Sequence, residues 1–142
     1  MYILDSSAIA VILRRLKEKS IDVIKDGITL DLAKYELGNV IWKECVLKGT
    51  ITFEEAINRA ENLARILDIM RIEEIESDED FKGVMRLATK LGLTFYDASY
   101  LHVAKQTRSE LVTEDTELYE KAKQVGVKSM TVSELLREFG VC

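Results

Sequence analysis

The sequence predicts an α/β fold in which helices cover both faces of a central parallel β-sheet. Short apolar runs alternate with longer segments whose apolar residues recur at helical spacing, and strands separated by helices pair in parallel through right-handed crossovers. The chain has 142 residues, of which 47% are hydrophobic and 32% are charged. This length and composition are typical of one globular domain, which we expect to span residues 1–142.

The first two strands and the first helix have clear local signals. Residues 2–4 form a short apolar run that ends at Asp5, which is typical of a buried strand. Ser6 and Ser7 then offer a hydroxyl cap for a helix that reaches about residue 19. A second short run at residues 27–30 predicts the next strand.

Two long helices are expected to follow. Asp31 caps the first, which runs to about residue 48 and is ended by Gly49. Thr52 and Glu55 form a capping box that opens the second helix. Its apolar residues recur at helical spacing, and we expect them to be buried in the core. They are Phe53, Ala56, Ile57, Ala60, Leu63, Ala64 and Leu67.

A weaker strand and two further helices are expected in the middle of the chain. Residues 70–75 favour a strand. Ser77 opens a helix that ends near residue 91, before Gly92. Thr94 opens the next helix, which reaches about residue 107.

The C-terminal part predicts two strands with a helix between them. The strands are expected at residues 111–113 and 127–130, and the helix at 115–125. Thr131 and Glu134 form a capping box for a terminal helix. In parallel sheets of this kind the functional site lies at the carboxyl ends of the strands, so we expect it at that edge.

Net charge and the scarcity of soft metal ligands exclude several functions. The net charge of −5 is opposite in sign to that of proteins that hold nucleic acid by charge alone. An acidic chain can still cut nucleic acid when metal ions supply the positive charge. With His102 as the only histidine and Cys45 and Cys142 as the only cysteines, we expect neither a disulfide framework nor a Cys/His zinc site.

The N-terminal residues indicate a cytoplasmic protein without a membrane segment. They lack the basic stretch and the long apolar core of a signal peptide. The longest early apolar run, residues 8–13, is far too short to span a membrane.

Two acidic residues follow predicted strands. Asp5 comes directly after the first strand, and Asp115 lies two residues beyond the strand at 111–113. Both therefore belong at the carboxyl edge of the sheet. An aspartate between a strand and a helix is also a common N-cap, and the sequence leaves both interpretations open.

Glu36 lies on a helix face that is otherwise apolar. Leu32 precedes it by four residues and Val40 follows it by four, so the three side chains share one face. A carboxylate among apolar side chains is costly unless it is paired or coordinated. The alternative is a partly exposed glutamate at the margin of the apolar stripe.

Asp97 also has two interpretations. Together with Thr94 it matches a capping box, and a reciprocal cap would explain it fully. Its helical neighbours Tyr100, Leu101 and Ala104 indicate instead that Asp97 points with the buried face toward the sheet edge.

Taken together, the four carboxylates predict a metal site. Side chains with like charge in one pocket repel each other and raise each other's pKa values, and divalent cations relieve that repulsion. Oxygen ligands favour hard ions, which here means Mg²⁺ or Mn²⁺. The chemistry that such a site supports is the transfer of a phosphoryl group to water.

Four segments of the chain resemble those of PIN domains, and most closely those of VapC-type toxins of prokaryotic toxin–antitoxin pairs. The segments are YILDSSAI, YELGNVIWK, TFYDASYLHVAK and LVTEDTEL, and they extend the resemblance from Tyr2 to the terminal helix. The resemblance implies a PIN-like fold and an endoribonuclease that uses Mg²⁺ or Mn²⁺. It also implies an RNA substrate, a small antitoxin protein as partner and a homodimer.

The resemblance assigns roles to individual residues. It makes Asp5, Glu36, Asp97 and Asp115 the first to fourth acids, which are catalytic and hold the metal, the fourth often acting through water. It implies supporting roles for Ser6, which would orient Asp5, for Asn39, and for Thr113. Trp42 is expected in the core or at a dimer contact.

Three other functions are compatible with acids at the strand ends of an α/β sheet. A haloacid-dehalogenase-type phosphatase needs an Asp-x-Asp pair after the first strand, but Ser6 and Ser7 follow Asp5. A response-regulator receiver needs a lysine after a late strand, whereas Lys128 precedes or lies within the last one. A catalytically silent PIN-like module that binds RNA or protein remains open.

Overall fold

A computed structural model, which describes residues 1–141, confirms the expected α/β fold. Its strands are β1 (Tyr2–Leu4), β2 (Ile28–Leu30), β3 (Arg71–Glu73), β4 (Glu110–Val112) and β5 (Ser129–Met130). They form one parallel sheet in the order β3-β2-β1-β4-β5. Leu4 pairs with Val112, so the residues that follow the neighbouring strands β1 and β4 meet at the carboxyl edge.

The helices form two layers, one on each face of the sheet. In chain order they are α1 (Ser6–Leu16), α2 (Ser20–Ile24), α3 (Leu32–Trp42), α4 (Phe53–Asp68), α5 (Asp78–Leu91), α6 (Phe95–Thr107), α7 (Thr116–Gln124) and α8 (Val132–Glu138). One layer contains α1 to α4 and α8, and the other contains α5 to α7.

Each face of the sheet has its own hydrophobic core. Successive strand residues point to opposite faces, so Ile3 and Leu111 join one core whereas Leu4 and Val112 join the other. Because both faces of the sheet are covered at its centre, β1 contains no charged residue, whereas the edge strand β3 is Arg-Ile-Glu and is partly exposed. Within residues 1–141, no helix combines the length and the apolar character needed to cross a membrane.

The first helix differs from its predicted form at both ends. Its N-cap is Asp5 and neither of the serines that follow, because the Asp5 carboxylate accepts a hydrogen bond from the Ala8 amide. The helix ends at Leu16 because Lys17 adopts a left-handed conformation with φ of +51°. A 3₁₀ turn follows, and then α2 buries Val23 and Ile24 in the core.

The predicted helix at residues 31–48 has the expected extent but a different cap. A π-helical turn at Lys43–Leu47 continues α3, and Gly49 follows with φ of +63°. Asp31 does not cap the helix with its side chain. Its own backbone is already helical, and its amide donates to the Glu73 carbonyl at 3.1 Å.

The expectation that the apolar stripe of α4 lies in the core is wrong. Leu63 is its one fully buried member, whereas Phe53 is 71% exposed and Ile57 51% exposed. The helix packs against α3 at the margin of the sheet, where no further layer covers it within the described chain. Trp42 is also 48% exposed and is not a core residue. We call the exposed set the α3–α4 apolar residues, namely Tyr35, Val40, Trp42, Val46, Leu47, Phe53 and Ile57.

Candidate active site

Asp5 is the most deeply buried acid at the carboxyl edge of the sheet, with 4% of its surface exposed. Its Oδ1 accepts hydrogen bonds from the Ser7 hydroxyl at 2.6 Å and from the Ala8 amide at 2.9 Å, and its Oδ2 accepts one from Thr113. Burial raises the pKa of Asp5, the three hydrogen bonds oppose that rise, and the charge of Glu36 adds to it. Asp5 is thus held rigidly, and its Oδ2 keeps one lone pair free.

Two hydroxyl groups join the end of β1 to the loop after β4. The buried Thr113 hydroxyl, which donates to Asp5, also accepts a hydrogen bond from the Asp115 amide at 3.0 Å. The Ser7 hydroxyl similarly accepts from the Glu114 amide at 3.0 Å. The loop that carries Asp115 is therefore fixed relative to Asp5 through short side chains.

The serine that contacts Asp5 differs from the expected one. The family resemblance implied the orienting role for Ser6, but the hydrogen bond comes from Ser7, while the Ser6 hydroxyl interacts with Tyr100. The physical reason is that Asp5 is the helix N-cap, which turns its carboxylate back over the first turn toward residue 7. The N-cap interpretation of Asp5, which the sequence left open, was the signal that could have selected Ser7.

Asp115 is a helix cap at the same edge. Its Oδ1 accepts a hydrogen bond from the Leu118 amide at 2.9 Å, which caps α7. The residue is exposed, and its second carboxylate oxygen accepts no hydrogen bond from the described residues. The cap and the site interpretations are therefore compatible, because one oxygen serves the helix and the other faces the edge.

Asp97 is not part of a reciprocal cap. The Thr94 hydroxyl accepts from the Asp97 amide at 3.1 Å, but the Asp97 carboxylate does not return a bond to the Thr94 backbone. In α4, α5 and α8 the corresponding boxes are closed in both directions. The cap therefore does not account for this carboxylate.

Electrostatic coupling places Asp97 beside the other acids. Burial raises its pKa to about 6, and the next contribution is the charge of Asp115. Smaller contributions come from Asp5, Glu36 and Glu117. The four acids selected from the sequence therefore act on one another within a single region, as does Glu117, which sequence reasoning missed. Its position two residues after Asp115, in the first turn of α7, was the available signal.

Glu36 is oriented by a buried tyrosine. The Tyr100 hydroxyl donates to Glu36 Oε1 at 2.8 Å. Burial raises the pKa of Tyr100 far above its ordinary value, and the charge and hydrogen bond of Glu36 raise it further. Sequence reasoning used Tyr100 only to orient α6 and missed this contact. Asn39, one turn beyond Glu36, is exposed, and the structure shows no hydrogen bond from its side chain to another described residue.

Helix N-termini partly offset the negative charge of this edge. Asp5 and Asp115 cap α1 and α7, and Asp97 lies in the first turn of α6. The positive end of a helix dipole stabilises a nearby carboxylate by about 0.3–1 kcal/mol. Three of the four acids therefore keep their charge at a lower cost than burial alone would impose.

The side chains at this edge offer the type of donor atom that hard divalent cations prefer. The side chains at this edge present carboxylate and hydroxyl oxygens, with no thiol or imidazole beside them in the described chain. Within residues 1–141, no group of three or more acidic, histidine or cysteine side chains is already arranged as a metal cage. Mg²⁺ does not require one, because it usually binds one or two carboxylates and completes its shell with water and phosphate oxygens.

The sequence of this chain is similar to a family model and to two named proteins. A family model described as PIN domain matches residues 2–124. Exonuclease VapC9 of Pyrobaculum aerophilum is 36% identical over 122 residues, which cover 86% of either chain. Ribonuclease VapC3 of the same organism is 32% identical over 124 residues, which cover 84% of this chain and 92% of the relative.

Solved structures share the arrangement of strands and helices. The crystal structure of PAE2754 from Pyrobaculum aerophilum superposes with a TM-score of 0.81 at 33% identity, covering 98% of this chain and 96% of that one. A toxin–antitoxin complex from Klebsiella pneumoniae contains a chain that superposes with a TM-score of 0.64 at 16% identity, covering 93% and 98%. At that identity the second likeness shows the fold alone.

Proposed function

The chain belongs to the PIN domain family, and from this we propose that it is a Mg²⁺- or Mn²⁺-dependent ribonuclease. Family membership removes the receiver-type alternative. The observation that carries the proposal is the carboxylate of Asp97, which no cap uses and which is coupled to Asp5, Glu36 and Asp115. Acids that repel one another in this way favour a bound cation.

We assign the four acids to the metal by the oxygens that each has free. Asp97 and the second oxygen of Asp115 accept no hydrogen bond from the described residues, and Asp5 Oδ2 has one lone pair left. Glu36 offers the oxygen that Tyr100 does not contact. When bound, the ion would lower the pKa of a water molecule and neutralise charge on the phosphate oxygens. Thr113 and Ser7 would keep Asp5 and the Asp115 loop at a constant separation during turnover.

The substrate that we propose is RNA, cleaved at internal phosphodiester bonds. The printed names of the two relatives differ on this point, since one is called an exonuclease and the other a ribonuclease. The acids lie at an open edge of the sheet, and Asp115 is exposed, so a continuous strand can pass the site without a free end. A circular RNA distinguishes the two modes, because an exonuclease needs an end and an endonuclease does not.

The activity test compares circular and linear RNA of the same sequence. Purified protein with millimolar Mg²⁺ or Mn²⁺ is expected to cut both, and EDTA is expected to stop the reaction. Asp5→Asn and Asp97→Asn should remove most of the activity without unfolding the protein. Asp22→Asn is the matched control, because Asp22 is an exposed acid on α2.

Each outcome has a distinct meaning. Cleavage of linear RNA alone would show an exonuclease. Activity that persists undiminished in Asp5→Asn would contradict the assigned site. Binding of RNA without cleavage under all metal conditions would favour the silent PIN-like module.

We further propose a homodimer whose partner is a small antitoxin protein. The support is the exposure of the α3–α4 apolar residues, because large apolar side chains at the surface are typical of interaction sites. An amphipathic helix of the antitoxin would cover them, and a basic residue beside that helix would pair with the active-site carboxylates. The complex would then contain two copies of each chain.

Co-expression with the short reading frame next to the gene tests this partner. Light scattering after gel filtration should detect a complex with suppressed ribonuclease activity. Trp42→Ser combined with Phe53→Ser should weaken the complex, whereas Phe81→Ser, which changes an exposed aromatic residue on α5, should not. Equal complex formation by both variants would contradict the assigned surface.

A further inference from the structure

A second surface feature lies at the end of the domain opposite to the acids. Two adjoining cavities of about 360 and 550 Å³ share Lys105 and Val125 as lining residues. One is formed by the end of α6, the start of β4 and the loop before β5. The other lies between α5 and α6. The first cavity lies at the amino edge of the sheet, where β4 and β5 begin, and the second adjoins it along α5 and α6; we call the two together the rear groove.

The rear groove is strongly basic, although the chain carries a net charge of −5. Five cationic side chains line it, and they are Arg86, Lys90, Lys105, Arg108 and Lys128. Glu110 is a lining residue and pairs with Lys128 at 3.2 Å, and the Asp80 carboxylate contacts the lining residues His102 and Gln106 at 3.0 and 2.6 Å. The first four cations form no salt bridge with any residue from 1 to 141. The groove therefore holds a surplus of exposed positive charge.

The backbone at Arg108 gives a second reason to regard this charge as significant. Arg108 ends α6 in a left-handed conformation with φ of +53°. Glycine adopts that conformation without steric cost, whereas a residue with a Cβ does so at some cost. The chain thus places a long cationic side chain at a position where glycine would fit the backbone better.

We propose that the rear groove binds the phosphodiester backbone of RNA at a point remote from the bond that is cut. Exposed cations without carboxylate partners attract a strand of phosphates, and binding of that strand releases counterions. The acidic edge would repel the same strand in the absence of metal. This inference rests on the proposed ribonuclease activity for its biological meaning, but RNA binding by the groove can be measured without any cleavage.

The first cavity, at the start of β4, is separated from the acidic edge by about the length of that strand. Three residues at about 3.3 Å each correspond to roughly 10 Å. A short oligonucleotide can therefore occupy the acidic edge alone, whereas a longer RNA can reach both. The groove is expected to lower the KM for long RNA, with little effect on kcat and none on the shortest substrates.

The test measures RNA binding without cleavage. A fluorescent single-stranded RNA is titrated with the full-length Asp5→Asn protein in EDTA at several salt concentrations. Arg86→Gln combined with Lys105→Gln is expected to weaken binding at least tenfold, and to reduce the slope of log affinity against log salt by about 1.4, since each phosphate contact contributes about 0.7. The control is Lys25→Gln combined with Lys48→Gln, which removes two exposed cations elsewhere.

A second variant separates a binding role from a structural one. Arg108→Gly suits the left-handed backbone and should leave the melting temperature unchanged or higher, yet it should weaken RNA binding. DNA of the same sequence should compete as well as RNA, because the groove contacts the backbone alone. Equal affinity and equal salt slope in the groove and control variants would overturn the inference, and so would a failure of DNA to compete.

The two proposals fail in different ways. The groove variants could lose salt-dependent RNA binding while the wild-type protein never cleaves RNA with any metal. That result would support RNA binding by the rear groove and refute the proposed ribonuclease activity. Conversely, the wild-type protein could cleave RNA with metal while the groove variants bind long RNA as tightly as the control variant does. That result would refute RNA binding by the rear groove but not the ribonuclease activity.

Discussion

Replacing Asp97 with asparagine is expected to stabilise the metal-free protein while it removes catalysis. Burial and the charge of Asp115 raise the pKa of Asp97 to about 6, from an ordinary value of 3.8. Ionised Asp97 therefore opposes folding by at most about 3 kcal/mol at neutral pH. Screening by water at this half-buried position reduces the cost to about 1–2 kcal/mol. Asparagine has nearly the same shape and carries no charge.

The effect has a defined pH window. Because the folded-state pKa is higher than the unfolded one, the carboxyl group is protonated in both states below pH ~4, where the cost vanishes. The cost grows between about pH 4 and about pH 6, where the unfolded chain has lost this proton and the folded protein still holds it, and it is complete at higher pH. The variant is thus expected to match the wild type near pH 4 and to exceed it in stability above pH 7.

Thermal unfolding in EDTA measures the difference. At pH 7.5 the melting temperature of Asp97→Asn should rise by about 3–8 °C, from roughly 3–4 °C per kcal/mol at this chain length. Millimolar Mg²⁺ should raise the melting temperature of the wild type more than that of the variant, since a bound ion relieves the repulsion between the carboxylates. Asp22→Asn should show neither effect. A variant no more stable than the wild type at pH 7.5, or equally stabilised at pH 4, would refute the reasoning.

Two further substitutions test the packing around the site and on the opposite layer. Thr113→Val removes the hydroxyl that donates to Asp5 and accepts from the Asp115 amide. Urea unfolding should show a free energy of unfolding lower by about 1–3 kcal/mol, and the ribonuclease activity should fall as well. Unchanged stability would contradict the hydrogen-bond network. Gly83→Ala would place a methyl group 2.6 Å from the His102 ring and should cost about 1–3 kcal/mol. Gly38→Ala is its control, because nothing lies within 4 Å of that Cβ and the change should be neutral or stabilising.

The strands and most helix boundaries could be predicted because their signals are local. A strand covered on both faces is a short apolar run, three capping boxes mark helix starts, and Gly92 marks the end of α5. The break after Leu16 had no such signal, because a lysine adopts the left-handed conformation there and neither glycine nor proline is present. The exposure of α4 was also hidden, since periodicity shows which face of a helix is apolar but not what covers that face.

In the candidate site, too, the features that depend on neighbouring residues could be predicted, and the contacts between distant residues could not. Strand ends selected Asp5 and Asp115, and their caps could be anticipated from the strand–helix junctions. The contact between Tyr100 and Glu36 joins residues that are 64 positions apart in the chain. The donation from Thr113 to Asp5 spans 108 positions. Such pairs depend on the strand order, and the spacing of residues within one element does not reveal them.

Four helices begin with the same capping-box pattern, but the hydrogen bonds of one differ from those of the other three. Three are closed in both directions, at Thr52–Glu55, Ser77–Asp80 and Thr131–Glu134. At Thr94–Asp97 the return bond is missing, although closing it would give a repelled carboxylate a hydrogen-bond donor. A local rule broken at an energetic cost is typical of functional positions. The open box therefore favours Asp97 as a ligand more strongly than its position in the sequence does.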